Sequence, residues 1–100
     1  MGKILIVDDD ISIAQLLSDA LEDEGFETVV KNESKEALEY IVSNGSNVSL
    51  ITLDIMMPEL SGMDLCRYIR RKVNCPIIFV SAKGKSTDAM AGLEAGADDY

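Results

Sequence analysis

One hundred residues allow at most one compact domain, and 47% apolar with 27% charged residues is the composition of a globular chain rather than a disordered one. A formal net charge of −9, from 18 acidic and 9 basic residues, repels phosphate backbones and argues against direct nucleic-acid binding by this segment. No apolar run reaches the length of a membrane span, and Met1–Val7 lacks the long apolar stretch of a signal peptide, so a cytoplasmic location away from any membrane is the expectation.

Along the chain, strand-like and helix-like segments alternate. Lys3–Val7 is a short run rich in Ile and Val that stops at Asp8. From Ile11 to Glu24, Ile13, Leu16, Leu17, Ala20 and Leu21 recur at helical spacing, and Gly25 closes that helix. Phe26–Val30 reads as a second strand. Ser34 is suited to cap a second helix through Val42, with Ala37, Leu38 and Ile41 inward, before a polar turn at Asn44–Asn47. Val48–Leu53 is a third strand that ends at Asp54. Met56–Gly62 is a loop, because Pro58 lacks an amide donor and Gly62 is conformationally permissive. Ser61–Lys72 is a third helix with Leu65, Cys66 and Ile69 inward, Pro76–Ser81 a fourth strand, and Ser86–Ala97 a fourth helix.

Such alternation with short loops predicts an α/β fold with a doubly wound parallel sheet, helices covering both faces. Ile4–Val7 and Ile77–Val80 do not alternate with polar residues, as befits strands buried on both sides. Cys66 and Cys75, with no histidine in the chain, make neither a disulfide framework nor a zinc site, and read as reduced, largely buried thiols.

In an open parallel sheet the working site lies beyond the carboxyl ends of the strands, where the strand order reverses. The first strand delivers Asp8 and Asp9 there, the third Asp54 and the fourth Ser81. Gathering three carboxylates is costly, since two unit charges about 4 Å apart repel by roughly 4 kcal/mol at an effective dielectric near 20. Either a carboxyl pKa rises or a cation is held. All-oxygen ligation selects a hard ion, and few protein ligands with retained waters favour Mg²⁺. A carboxylate beside Mg²⁺ is a competent nucleophile toward phosphorus, and Ser81 is placed to hydrogen-bond the transferred group. Asp10, at the start of the first helix, reads as its N-cap rather than a ligand.

Four stretches, Ile4-Leu-Ile-Val-Asp-Asp-Asp10, Leu53-Asp-Ile-Met-Met-Pro-Glu-Leu-Ser-Gly62, Val80-Ser-Ala82 and Gly92-Leu-Glu-Ala-Gly-Ala-Asp-Asp-Tyr100, resemble the receiver domains of bacterial two-component response regulators, of the chemotaxis-receiver kind, over nearly the whole chain. The resemblance implies a flavodoxin-like strand order, 2-1-3-4-(5). It implies Asp54 as phosphoacceptor for a sensor histidine kinase. Asp9, Asp54 and the backbone carbonyl of Met56 become direct Mg²⁺ ligands, with Asp8 acting mainly through water. Ser81 resembles the switch hydroxyl and Tyr100 the switch aromatic, while Pro58 and Gly62 shape the loop beneath the acceptor. The expected output is control of transcription.

Family members continue past this tyrosine with a fifth strand, bearing a lysine, and a fifth helix. Lys83 would lie at the pocket rim instead. The expectation is therefore a receiver domain over residues 1–100 that is incomplete at its C-terminus and lacks an output domain. Ile77–Val80 is then expected to be an exposed apolar edge through which chains associate. A rival from another class is a small phosphatase of the haloacid-dehalogenase type. Asp8-Asp-Asp10-Ile-Ser12 fits its signature, with Asp8 as nucleophile, Asp10 as acid–base and Asp98-Asp99 as the last acidic pair, but it leaves Asp54 unexplained.

Overall fold

A computed structural model describes residues 2–54 and 62–80. In chain order these form β1 (Lys3–Val7), α1 (Ile11–Asp23), β2 (Thr28–Lys31), α2 (Ser34–Asn44), a 3-10 turn (Gly45–Asn47), β3 (Val48–Asp54), α3 (Gly62–Arg70) and β4 (Ile77–Val80). The expected fourth helix lies outside the described residues, as do Met56, Pro58, Ser81, Lys83, Asp98, Asp99 and Tyr100.

Among the described residues the strands make one parallel sheet in the order β2-β1-β3-β4. The sheet grows to one side of β1 by way of α1 and to the other by way of α2. Right-handed crossovers in opposite directions put α1 on one face and α2 and α3 on the other. β1 therefore has both faces covered. Ile4 and Ile6 pack with Ala14, Leu17 and Leu21 of α1, while Leu5 and Val7 join Ala37, Ile41, Leu53, Leu65, Ile69 and Phe79 in the larger core. Cys66 is fully buried in that core and Cys75 packs half-buried against it, as two structural thiols would.

Several boundaries and the buried face of α1 depart from the sequence reading. α1 ends in a Schellman motif, in which Phe26 N–H donates to Leu21 O at 3.1 Å and Gly25 N–H to Glu22 O at 3.0 Å, with Gly25 at φ 94°. Phe26 thus spends its amide on the helix and stands half exposed, so β2 starts at Thr28. α1 turns a stripe of Ala14, Leu17, Ser18 and Leu21 to the sheet and leaves Ile13, Leu16 and Ala20 on its exposed flank. Ser18 can be buried because its hydroxyl meets Thr28 Oγ1 at 2.6 Å, and Thr28 in turn donates to Glu22 at 2.7 Å. Glu33, not Ser34, holds the N-cap position of α2, with no side-chain capping bond, and the helix runs two residues further, to Asn44.

The side chains of β4 are not an exposed apolar edge. Ile77 and Phe79 are buried against the α2 and α3 side, and Ile78 and Val80 are half-buried on the other. Successive strand side chains face opposite sides of the sheet.

Candidate metal and phosphoacceptor site

Register decides where the acidic residues meet. β1 pairs with β3 through Val7 and Leu53, so the next residues on the two strands, Asp8 and Asp54, emerge side by side. This is the point where the strand order reverses, between β1 and β3. β3 in turn sets Asp54 opposite Val80 of β4, the residue before Ser81.

The loop from β1 to α1 is tied down residue by residue. Asp8 N–H donates to Lys31 O at 3.2 Å, continuing the ladder to β2. Asp10 N–H donates to Asp8 Oδ1 at 2.9 Å, which folds the three aspartates into a tight turn. Asp10 Oδ1 accepts from the amides of Ser12 and Ile13 at 3.0 and 3.2 Å, so this side chain caps α1 and is not available as an acid–base group. Asn32 Nδ2 donates to the Asp8 carbonyl at 2.9 Å. That last contact had no signature in the sequence reading.

Asp8 is buried, Asp54 half-buried and Asp9 exposed, and one carboxylate oxygen from each lies within 4.8 Å of the others. Burial pushes the Asp8 carboxyl above its ordinary value; the Asp10 amide and a hydrogen bond with the Asp54 carboxyl oppose this, and the charges of Asp9 and Asp10 add to it. The sequence reading brought these three residues together, and the structure does the same.

The set fits a hard cation on two grounds. Its donors are all carboxylate oxygens, and all three lie within 4.8 Å of one another, against the roughly 4.1 Å that separates opposite ligands of one Mg²⁺ at 2.0–2.1 Å. An unfilled site would hold three clustered acids, one with a carboxyl already driven toward protonation.

Comparisons with known proteins agree with this geometry. The family model described as response regulator receiver domain matches residues 4–100. The transcriptional regulatory protein CpxR homolog of Haemophilus influenzae is 42% identical over 99 residues, covering 99% of this chain and 42% of that protein. The chain therefore spans less than half the length of that relative. Among solved structures, the receiver domain of Francisella response regulator 1452 aligns with a TM-score of 0.89 at 39% identity, covering 100% of this chain and 82% of that one. The BeF3-activated N-terminal receiver domain of Klebsiella pneumoniae RstA aligns with a TM-score of 0.91 at 32% identity, covering 99% and 83%. The phosphatase reading through Asp8 and Asp10 is set aside by the family match and by the capping role of Asp10. No helix among the described residues is long and apolar enough to cross a membrane. Parallel strands in the order 2-1-3-4, three acids at the reversal and a family match over nearly the full length lead to one conclusion: the chain belongs to the receiver domains of two-component response regulators, modules of phosphorylation-dependent signalling.

Proposed function

We propose that Asp54 is the phosphoacceptor of this receiver domain and that Asp8, Asp9, Asp54 and the Met56 carbonyl hold Mg²⁺ beside it. The observation that carries the reading is the meeting of three carboxylates within 4.8 Å at the ends of β1 and β3. Asp54 is the member that ends β3 and precedes the Met56–Gly62 segment. When bound, the ion neutralises the charge on the transferring phosphoryl oxygens. The chain supplies the rest. One Asp54 oxygen forms an O–P bond while the donor's P–N bond, in a phosphohistidine, or P–O bond, in a small phosphodonor, breaks. The electron pair leaves with the donor, and nothing is oxidised. Ser81, one residue beyond the Val80 that pairs with Asp54, is the hydroxyl assigned to the phosphoryl group, and Tyr100 the aromatic that follows it.

The phosphodonor is a sensor histidine kinase, and phosphorylation shifts a two-state equilibrium of the domain. Hydrolysis returns it: a water oxygen forms a bond to phosphorus, the Asp54 O–P bond breaks, and inorganic phosphate leaves. The parent protein works in the cytoplasm with an output domain that controls transcription, in keeping with the CpxR homolog's name as a transcriptional regulatory protein. Residues 1–100 belong to the receiver part of the parent protein and contact no nucleic acid themselves. Chains associate through the backbone edge of β4, the outermost described strand, rather than through its buried and half-buried side chains, and sedimentation at rising concentration reads this directly.

Incubation with acetyl phosphate and Mg²⁺, followed by hydroxylamine trapping and peptide mapping, tests the central assignment. The label is expected on Asp54, to disappear with Asp54→Asn and with chelation of the metal. Label on Asp8 or Asp9 overturns it.

A further inference from the structure

We infer that Asn32 is a positioning residue for the acidic site, holding the peptide that joins Asp8 to Asp9 through the bond from its Nδ2 to the Asp8 carbonyl at 2.9 Å. This deepens the Mg²⁺-site reading and rests on it.

Asn32 follows the last residue of β2, where the β1–β2 ladder closes on the pair Val7 and Lys31. Asp8 N–H still finds a strand partner in Lys31 O. Its carbonyl is instead met by a side-chain amide, as the backbone beyond Asn32 turns through Glu33 into α2. One side chain thus supplies a further rung of the sheet at the point where the sheet becomes the site.

The consequence reaches the ligands because a peptide unit is planar. The Asp8 carbonyl and the Asp9 amide lie in one rigid plane, so a donor that fixes the carbonyl also fixes the backbone direction from which the Asp9 side chain departs. Asp10 N–H, bonded to Asp8 Oδ1, holds the same turn from the other end. Asp9 is exposed and lies between these two anchors. The amide also suits the place electrostatically. It gives a donor without a formal charge, whereas a lysine or arginine there would neutralise the carboxylates that attract the ion.

A residue that only lengthens the sheet would affect folding and leave ion affinity alone. The test is therefore a Mg²⁺ titration by calorimetry, with thermal unfolding measured in EDTA on the same samples. Asn32→Ala is expected to raise the Mg²⁺ dissociation constant about tenfold, at the low end for partners that orient metal ligands. Asn44→Ala removes a side-chain amide bond of similar kind, to Tyr40 O at 3.2 Å on α2, and is expected to leave Mg²⁺ affinity within twofold. Should Asn32→Ala not fold, Asn32→Ser, whose donor is one bond shorter, carries the same expectation. Mg²⁺ affinity within twofold of the unsubstituted chain, with only the unfolding temperature lowered, overturns the positioning role alone. No Mg²⁺ binding by the unsubstituted chain overturns the metal-site reading and this inference with it.

Discussion

Asp8→Asn should make the metal-free chain more stable at neutral pH while weakening its hold on Mg²⁺. The substitution keeps Oδ1 as acceptor for the Asp10 amide and removes only charge. At the 4.8 Å limit of the cluster, two full charges repel by about 3.5 kcal/mol at an effective dielectric near 20, the figure suited to the buried Asp8 and half-buried Asp54. Asp9 is exposed, and the same separation in water is worth about 0.9 kcal/mol. The hydrogen bond between the Asp8 and Asp54 carboxyls holds a proton that already offsets part of the first repulsion. A net gain of about 2 kcal/mol is expected, or roughly 8–16 °C in unfolding temperature for a domain of this size. The pH dependence has a definite sign. Asp8 sits above its ordinary value when folded, so the native chain binds the extra proton, and stability falls as pH rises through that window. The advantage of Asp8→Asn should open across the same window and vanish below about pH 3.9, where the carboxyl is protonated in both states. Circular-dichroism melts at low salt with EDTA, from pH 3 to 8, read both effects. A substituted chain no more stable than the original at pH 7 would refute the claim that the three acids strain one another.

Thr28→Val leaves the buried Ser18 hydroxyl without its cross-element partner and should cost about 1–3 kcal/mol, whereas Ser18→Ala leaves Thr28 bonded to Glu22 and should cost about 1; urea midpoints separate them. Asp10→Ala removes the cap of α1 and should cost about 1 kcal/mol, with Asp10→Ser recovering most of it in the same measurement. Phe79→Ala empties a fully buried position between β4 and the helices and should cost about 3–5 kcal/mol, while Leu16→Lys, on the exposed flank of α1, should stay within about 0.5 kcal/mol.

The parts legible in the sequence were those set by unbroken patterns. Ile4–Val7 has no polar residue between its apolar ones, which only burial on both faces tolerates, and the order of strands and helices then leaves few ways to wind the sheet. Once the sheet is parallel, Asp8, Asp9 and Asp54 share an edge by topology. The face that α1 presents was not legible. Ile13, Ala14, Leu16, Leu17, Ala20 and Leu21 spread over nearly half the helix, wider than the stripe that is buried, and the choice of stripe depends on Ser18 finding Thr28 ten residues away. The start of β2 was hidden for a similar reason, since Phe26 looks like a strand residue until its amide is claimed by Leu21. Asn32 was illegible because its role requires the register of β1 against β2, which no local pattern contains.

That register also explains why the repulsion among the acids is not simply relaxed away. Asp8 has its amide held by Lys31 and its carbonyl by Asn32, which fix the backbone, and one carboxyl oxygen held by Asp10, so the side chain cannot swing clear of Asp54 without breaking a bond worth about 1 kcal/mol. An unheld turn would let the carboxylates separate, and a cation would then have to draw them back together. In the held turn the ion finds its ligands already gathered, and binding relieves what remains of the repulsion, the roughly 2 kcal/mol that Asp8→Asn is expected to recover. This is comparable to the roughly 2.7 kcal/mol of stabilisation that a ligand gives at a hundred times its dissociation constant. A melt in saturating Mg²⁺ should therefore reverse the ranking seen in EDTA, placing the original chain above Asp8→Asn. If both chains gain equally from Mg²⁺, the ion is not bound where Asp8 is held.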